Sequence, residues 1–98
     1  MNAKFTNVPK DDDTRIVFEK EAVLDGVDVL YQNWIFDGIR AESLIFCAED
    51  IADKNDEELK EWVCSSPVAA ETKPNSMTIS RSPSGYTYVN FNFKAQED

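Results

Sequence analysis

From Tyr86 to Lys94 the chain alternates strictly: Thr87, Val89, Phe91 and Phe93 fall on one side, Tyr86, Tyr88, Asn90 and Asn92 on the other. A period of two sends successive side chains to opposite faces, so this segment predicts a strand with one apolar and one amphipathic face. Ser82-Pro83-Ser84-Gly85 precedes it, with a proline to set φ and a glycine for the left-handed position. Met77 to Arg81 then reads as the other arm of a hairpin.

Three further strands are expected upstream. Ile16-Val17-Phe18 makes Thr14 to Lys20 a strand on β-branched and aromatic content, and Asp25-Gly26 supplies a turn. In Val27 to Phe36, residues Val27, Leu30, Tyr31, Trp34 and Ile35 fall at helical spacing while the composition suits a strand. Asp37-Gly38 decides for the strand, because that dipeptide between apolar runs signals a two-residue hairpin of type I′, with Ile39 to Cys47 as the partner. Residues 1–13 are polar and read as a surface segment that contributes little core, with at most a short edge strand at Ala3 to Thr6.

One segment carries the marks of a helix start. Asn55 followed by Glu58 resembles a capping box, and Asp56, Glu57 and Glu58 put negative charge at the positive end of the helix dipole. Leu59, Trp62 and Val63 form one apolar stripe. Pro67 stops the helix, since the residue before a proline is driven from helical angles, and residues 65–76 read as a connecting loop. The expected fold class is α+β: a small antiparallel sheet of four to five strands with one helix packed on one face, in the order β-β-β-α-β-β. Ninety-eight residues suit a single domain, 1–98.

Composition narrows the function classes. The chain has no histidine, so neither a Ser-His nor a Cys-His nucleophile pair can be built, and no catalytic residue is assigned. Cys47 and Cys64 lie at neither redox nor zinc-finger spacing and read as small buried thiols, with no metal and no cofactor expected. No apolar run approaches the roughly 20 residues that cross a bilayer, and Met1-Asn2-Ala3-Lys4 leads into polar residues, so a cytoplasmic location is expected.

The net charge of −9 is unevenly placed: residues 11–71 hold seventeen of the nineteen acids against five bases, while residues 72–96 contain Lys73, Arg81 and Lys94 and no acid. Nucleic acid and anionic lipid are bound by clustered Lys and Arg, so the expected partner is a basic protein surface, such as that of a nucleic-acid-binding protein, without direct nucleic-acid or membrane contact. The candidate contact residues are Glu49, Asp50, Asp53, Asp56, Glu57, Glu58 and Glu61, with Tyr86, Tyr88 or Trp34 as aromatic anchors. Asp50 and Glu61 stand twelve positions apart as the ends of an EF-hand loop do, but Ala52, Lys54 and Asn55 occupy positions where that loop needs oxygen ligands and a glycine.

Gly85 to Phe91 resembles the RNP1 strand of RNA-recognition motifs, whose exposed aromatics stack on bases. It departs from that pattern at Ser84, where a basic residue is expected, and at Thr87, where a small one is. The resemblance implies an RNA-binding sheet using Tyr86 and Tyr88. A third expectation is an assembly subunit that dimerises through an exposed strand, the C-terminal one. In size and charge alone, the chain is similar to small inhibitors encoded by phages and other mobile elements, of the anti-CRISPR or antirestriction type. The leading expectation is therefore a non-catalytic acidic binding protein, a nucleic-acid mimic that blocks a basic surface.

Overall fold

The computed structural model describes residues 3–8, 15–36, 38–66 and 77–95. Five strands form one antiparallel sheet: β1 (Arg15–Leu24), β2 (Val27–Phe36), β3 (Ile39–Cys47), β4 (Thr78–Arg81) and β5 (Tyr86–Ala95), in the spatial order β1-β2-β3-β5-β4. One helix, α1 (Asp56–Cys64), lies between β3 and β4 in sequence, so the α+β class and the element order agree with the sequence pattern. Two short 3-10 turns, Ala3–Phe5 and Ala48–Ile51, complete the described elements.

The first hairpin is longer than its hydrophobic signal. β1 runs to Leu24, which pairs with Val27 across Asp25-Gly26, and both turn residues have positive φ, 50° and 81°. Two left-handed residues in a two-residue loop match the right-handed twist of the strands, as in a type I′ turn. β2 is a strand throughout, which settles its double periodicity: pairing on both sides, with β1 and β3, outweighs the helical spacing. The proposed type I′ turn before β3 falls partly on Asp37, outside the described residues; Gly38 has φ 77°.

Parity along the strands sorts the core into two faces. On one, Val29, Leu44, Phe46, Val89 and Phe91 pack against Leu59 and Val63 of α1 and Ile51 of the preceding 3-10 turn. On the other, Leu30, Ile45 and Tyr86 pack against Phe5. That second cluster corrects the reading of the N-terminus: Ala3 to Thr6 is not an edge strand, and Phe5, 3% exposed, is core. A single aromatic residue among polar neighbours gives no periodicity to detect, and the face it covers is assembled from strands far along the chain.

The helix forms as its sequence dictates. Asn55 Oδ1 accepts the Glu58 N–H at 2.8 Å, and the Glu58 side chain accepts the Asn55 N–H at 3.0 Å, completing the capping box. At the other end the Ser65 N–H donates to carbonyls of the last turn, and the Ser65 hydroxyl donates to Glu61 O at 3.0 Å. The Pro67 stop lies outside the described residues, as does most of the 65–76 loop.

The sheet has two unlike edges. β5 is not one of them over Thr87 to Asn90, where it is paired with β3 and β4 on its two sides, which corrects the expected C-terminal edge strand for those residues; from Phe91 to Ala95 it pairs with β3 alone among the described residues. β4 is an edge of only four residues. β1, the other edge, is irregular between Ile16 and Phe18, where Val17 is the extra residue, and it carries Glu19, Lys20 and Glu21 at its centre.

Candidate acidic interface

The seven candidate carboxylates are gathered on the segment from the second 3-10 turn through α1, but they are not equivalent. Asp50 accepts Lys4 Nζ at 2.9 Å. Asp56 Oδ1 accepts both Nε and Nη2 of Arg81, at 3.2 and 2.8 Å. Glu58 is committed to the helix cap. Asp53, with 80% of its side chain exposed, has Lys54 Nζ only at 4.0 Å. Glu49, Glu57 and Glu61 are exposed, and no cation pairs with them among the described residues. Glu57 and Glu61 are four residues apart in α1 and so share one side of the helix.

Two of these contacts come from residues that linear spacing does not point to. Lys4 lies between Asp50 and Asp28, at 2.9 and 3.3 Å, so a carboxylate at the start of β2 joins the acidic segment through a cation from the N-terminal turn. The hydrogen bond to Asp50, and after it the one to Asp28, raise the Lys4 ammonium above its ordinary pKa of 10.5. Arg81 belongs to the hairpin that the sequence separates as basic, yet its guanidinium also reaches Lys54 O at 3.4 Å and lies against the helix start. The division into an acidic body and a basic hairpin therefore does not hold at this point. The signal for Arg81 is its place in β4 opposite Thr87, which turns it towards the helix-bearing face.

Trp62 fastens this region to the sheet. Its ring packs 5.6 Å from that of Phe46, its Nε1 donates to Asp25 Oδ2 at 3.3 Å, and Lys54 Nζ sits 4.9 Å from the ring centroid. Lys54, which would oppose the acids around it, is thus held over an aromatic face.

The aromatic residues on the opposite face are placed differently from what an RNP1-like strand implies. Tyr86 is buried, its ring stacked 6.4 Å from Phe5 and its hydroxyl donating to Lys4 O at 2.6 Å, so it is not open to a partner. Tyr88 is half-buried, and burial, then its neighbour Tyr86, pushes its hydroxyl pKa up. Trp34 Nε1 donates to Ser43 Oγ at 2.8 Å, and that hydroxyl donates to Asn90 Oδ1 at 2.6 Å. This chain crosses β2, β3 and β5 and ties the three strands together.

Cys47 and Cys64 are free thiols on opposite sides of the sheet, in the Phe5 cluster and the α1 cluster respectively. Burial raises both pKa values, with Asp50 adding to the effect at Cys47 and Glu61 at Cys64. The EF-hand spacing leads elsewhere in space: Asp50 sits in a 3-10 turn and Glu61 inside α1. Among the described residues no group of three or more His, Cys, Asp or Glu could hold a metal ion, and no helix is long and apolar enough to cross a membrane.

These features define a small α+β sheet domain with one acidic helix end. Compared with known protein families, with curated proteins and with solved structures, the chain matches none.

Proposed function

We propose that the protein is a non-catalytic acidic binding protein that blocks a basic protein surface in the cytoplasm, an inhibitor of the kind phages and mobile elements encode. The observation that carries this reading is the exposure of Glu49, Glu57 and Glu61 with no cation paired to them among the described residues, and of Asp53 with one only at 4.0 Å. Carboxylates left open in this way steer a cationic partner and meet its lysines and arginines at the rim of the contact. Asp50, Asp56 and Glu58 serve the fold and contribute to the field around it, so the contact set is narrower than the charge pattern alone gives. A partner that normally holds nucleic acid presents such a groove, and carboxylates spaced along it act as a nucleic-acid mimic.

The test is capture from lysate with the quadruple variant Glu49→Gln, Asp53→Asn, Glu57→Gln and Glu61→Gln beside the parent protein, followed by affinity measurement with the eluted partner at graded salt. The expected result is weaker binding with a shallower salt dependence in the variant. Equal affinity at every salt concentration would sink the reading.

A further inference from the structure

We infer that the sheet face away from α1 binds a straight, uncharged polysaccharide chain of the β-linked kind, laid across the strands over Gln32, Tyr88 and Asn90 and against Trp34. The acidic contact, carried by the second 3-10 turn and α1, plays no part in it. Strand register brings five polar residues into one line across the whole sheet. Glu19 on β1 pairs with Gln32 on β2, Gln32 with Ser43 on β3, Ser43 with Asn90 on β5, and Asn90 with Thr78 on β4. Gln32 and Ser43 share the parity of Leu30 and Ile45, which puts the line on the face away from α1. A sheet face packed on a second layer is apolar, and one left to water carries charges of both signs. Four of these five side chains are uncharged amides or hydroxyls, in a chain with 30% charged residues. That composition suits neither role and suits contact with a neutral, hydroxyl-rich ligand.

The hydrogen bonds along the line leave particular groups over. Ser43 Oγ accepts from Trp34 Nε1 at 2.8 Å and donates to Asn90 Oδ1 at 2.6 Å, which leaves the Asn90 Nδ2 donors. Gln32 Nε2 donates to Glu19 Oε1 at 2.8 Å, which leaves the Gln32 side-chain carbonyl. Among the described residues neither group has a partner, nor has the hydroxyl of half-buried Tyr88, two residues from Asn90 on β5. Trp34 supplies an aromatic surface beside them. Its indole reaches Ser43 on the next strand, and Ala41, directly opposite Trp34, is 1% exposed, so the half-buried ring lies along the sheet. A ring in that attitude meets the C–H face of a sugar. No Lys or Arg stands in the line and the net charge is −9, which disfavours a phosphate backbone, whereas sugar hydroxyls donate and accept without a countercharge. With strands about 4.8 Å apart the line is roughly 19 Å long, the length of a short run of sugars rather than of one. An open line holds a straight chain along its length, while a coiled chain touches it only locally.

The probes are cellohexaose, xylohexaose and β-linked mannohexaose, with the coiled α-linked maltohexaose and polyuridylate as contrasts, each added to the full isotope-labelled chain. The two tryptophans, Trp34 on this face and Trp62 on α1, give an internal comparison by nuclear magnetic resonance. The expected result is that a straight hexaose at millimolar concentration shifts the Trp34 indole N–H and Asn90 side-chain amide signals, leaves that of Trp62 in place, and binds equally at low and raised salt. Asn90→Asp keeps the acceptor for Ser43 and removes the donors, and Tyr88→Phe removes only the hydroxyl; each should weaken binding severalfold. Tyr88→Phe should do so at an unchanged urea midpoint, and it alone decides if Asn90→Asp lowers that midpoint. No shift with any straight hexaose, equal shifts at both tryptophans, maltohexaose binding as tightly as the straight chains, or full affinity in Tyr88→Phe would each overturn the assignment. Shifts produced by polyuridylate alone and erased by salt would overturn it in favour of RNA.

Discussion

Asn55 and Glu58 each accept a hydrogen bond from the other's backbone N–H, at 2.8 and 3.0 Å, and this reciprocal pair starts the only helix among the described residues. Replacing a capping side chain by alanine typically costs about 1 kcal/mol. Asn55→Ala is expected to lower the unfolding free energy by that amount in urea, with an unchanged m-value. Glu58→Gln, which keeps an acceptor at the same position, should cost far less. Equal losses in the two variants would show that the charge of Glu58 at the helix start counts as much as the Asn55 bond.

Thr87 is fully buried between Phe46 on β3 and Arg81 on β4, and among the described residues its hydroxyl has no hydrogen-bond partner. An unsatisfied buried hydroxyl is a desolvation cost without return, and an apolar group of the same shape removes it. Thr87→Val is expected to raise stability by about 1 kcal/mol, read as a higher urea midpoint. A less stable variant would mean that the hydroxyl is bonded in solution.

The Tyr31 hydroxyl donates to Glu42 Oε1 at 2.5 Å, and burial, followed by that carboxylate, pushes its pKa up from 10.0 to about 12. The neutral phenol is the form the fold favours. Its contribution is therefore complete below the unfolded value of 10.0 and is lost as pH rises through about 12. In an ultraviolet titration of phenolate, Tyr31→Phe is expected to lack the last-titrating tyrosine of the parent protein. If the late phase survives in the variant, the hydrogen bond to Glu42 is not its source.

How much of this was legible in the sequence follows the range of each interaction. The capped helix was, because a capping box spans four residues and an apolar stripe spans one turn. The β5 strand was, because strict alternation is local. The second face of the sheet was not: Tyr86 is covered by Phe5 through a contact that links residues 82 positions apart at Lys4 O, and nothing near either residue announces it. The acidic segment was legible as a run of charge, whereas its division into engaged and open carboxylates was not. Arg81 and Lys4 reach Asp56 and Asp50 only because strand register and the N-terminal turn bring them there. β1 extends beyond its sequence signal because its C-terminal half, Glu21 to Leu24, mixes charge with small and apolar residues, and pairing with β2 overrides that weak local pattern.

The irregularity in β1 has a bearing on behaviour at high concentration. Val17 and Phe18 are about half exposed on an edge of ten residues, a combination that in a straight strand would template the addition of further chains. The extra residue at Val17 bends the ladder, and Glu19, Lys20 and Glu21 follow immediately, so neither a flat surface nor an uncharged six-residue window is presented. The same few residues that make β1 look like an imperfect strand make this edge a poor template for the addition of further strands.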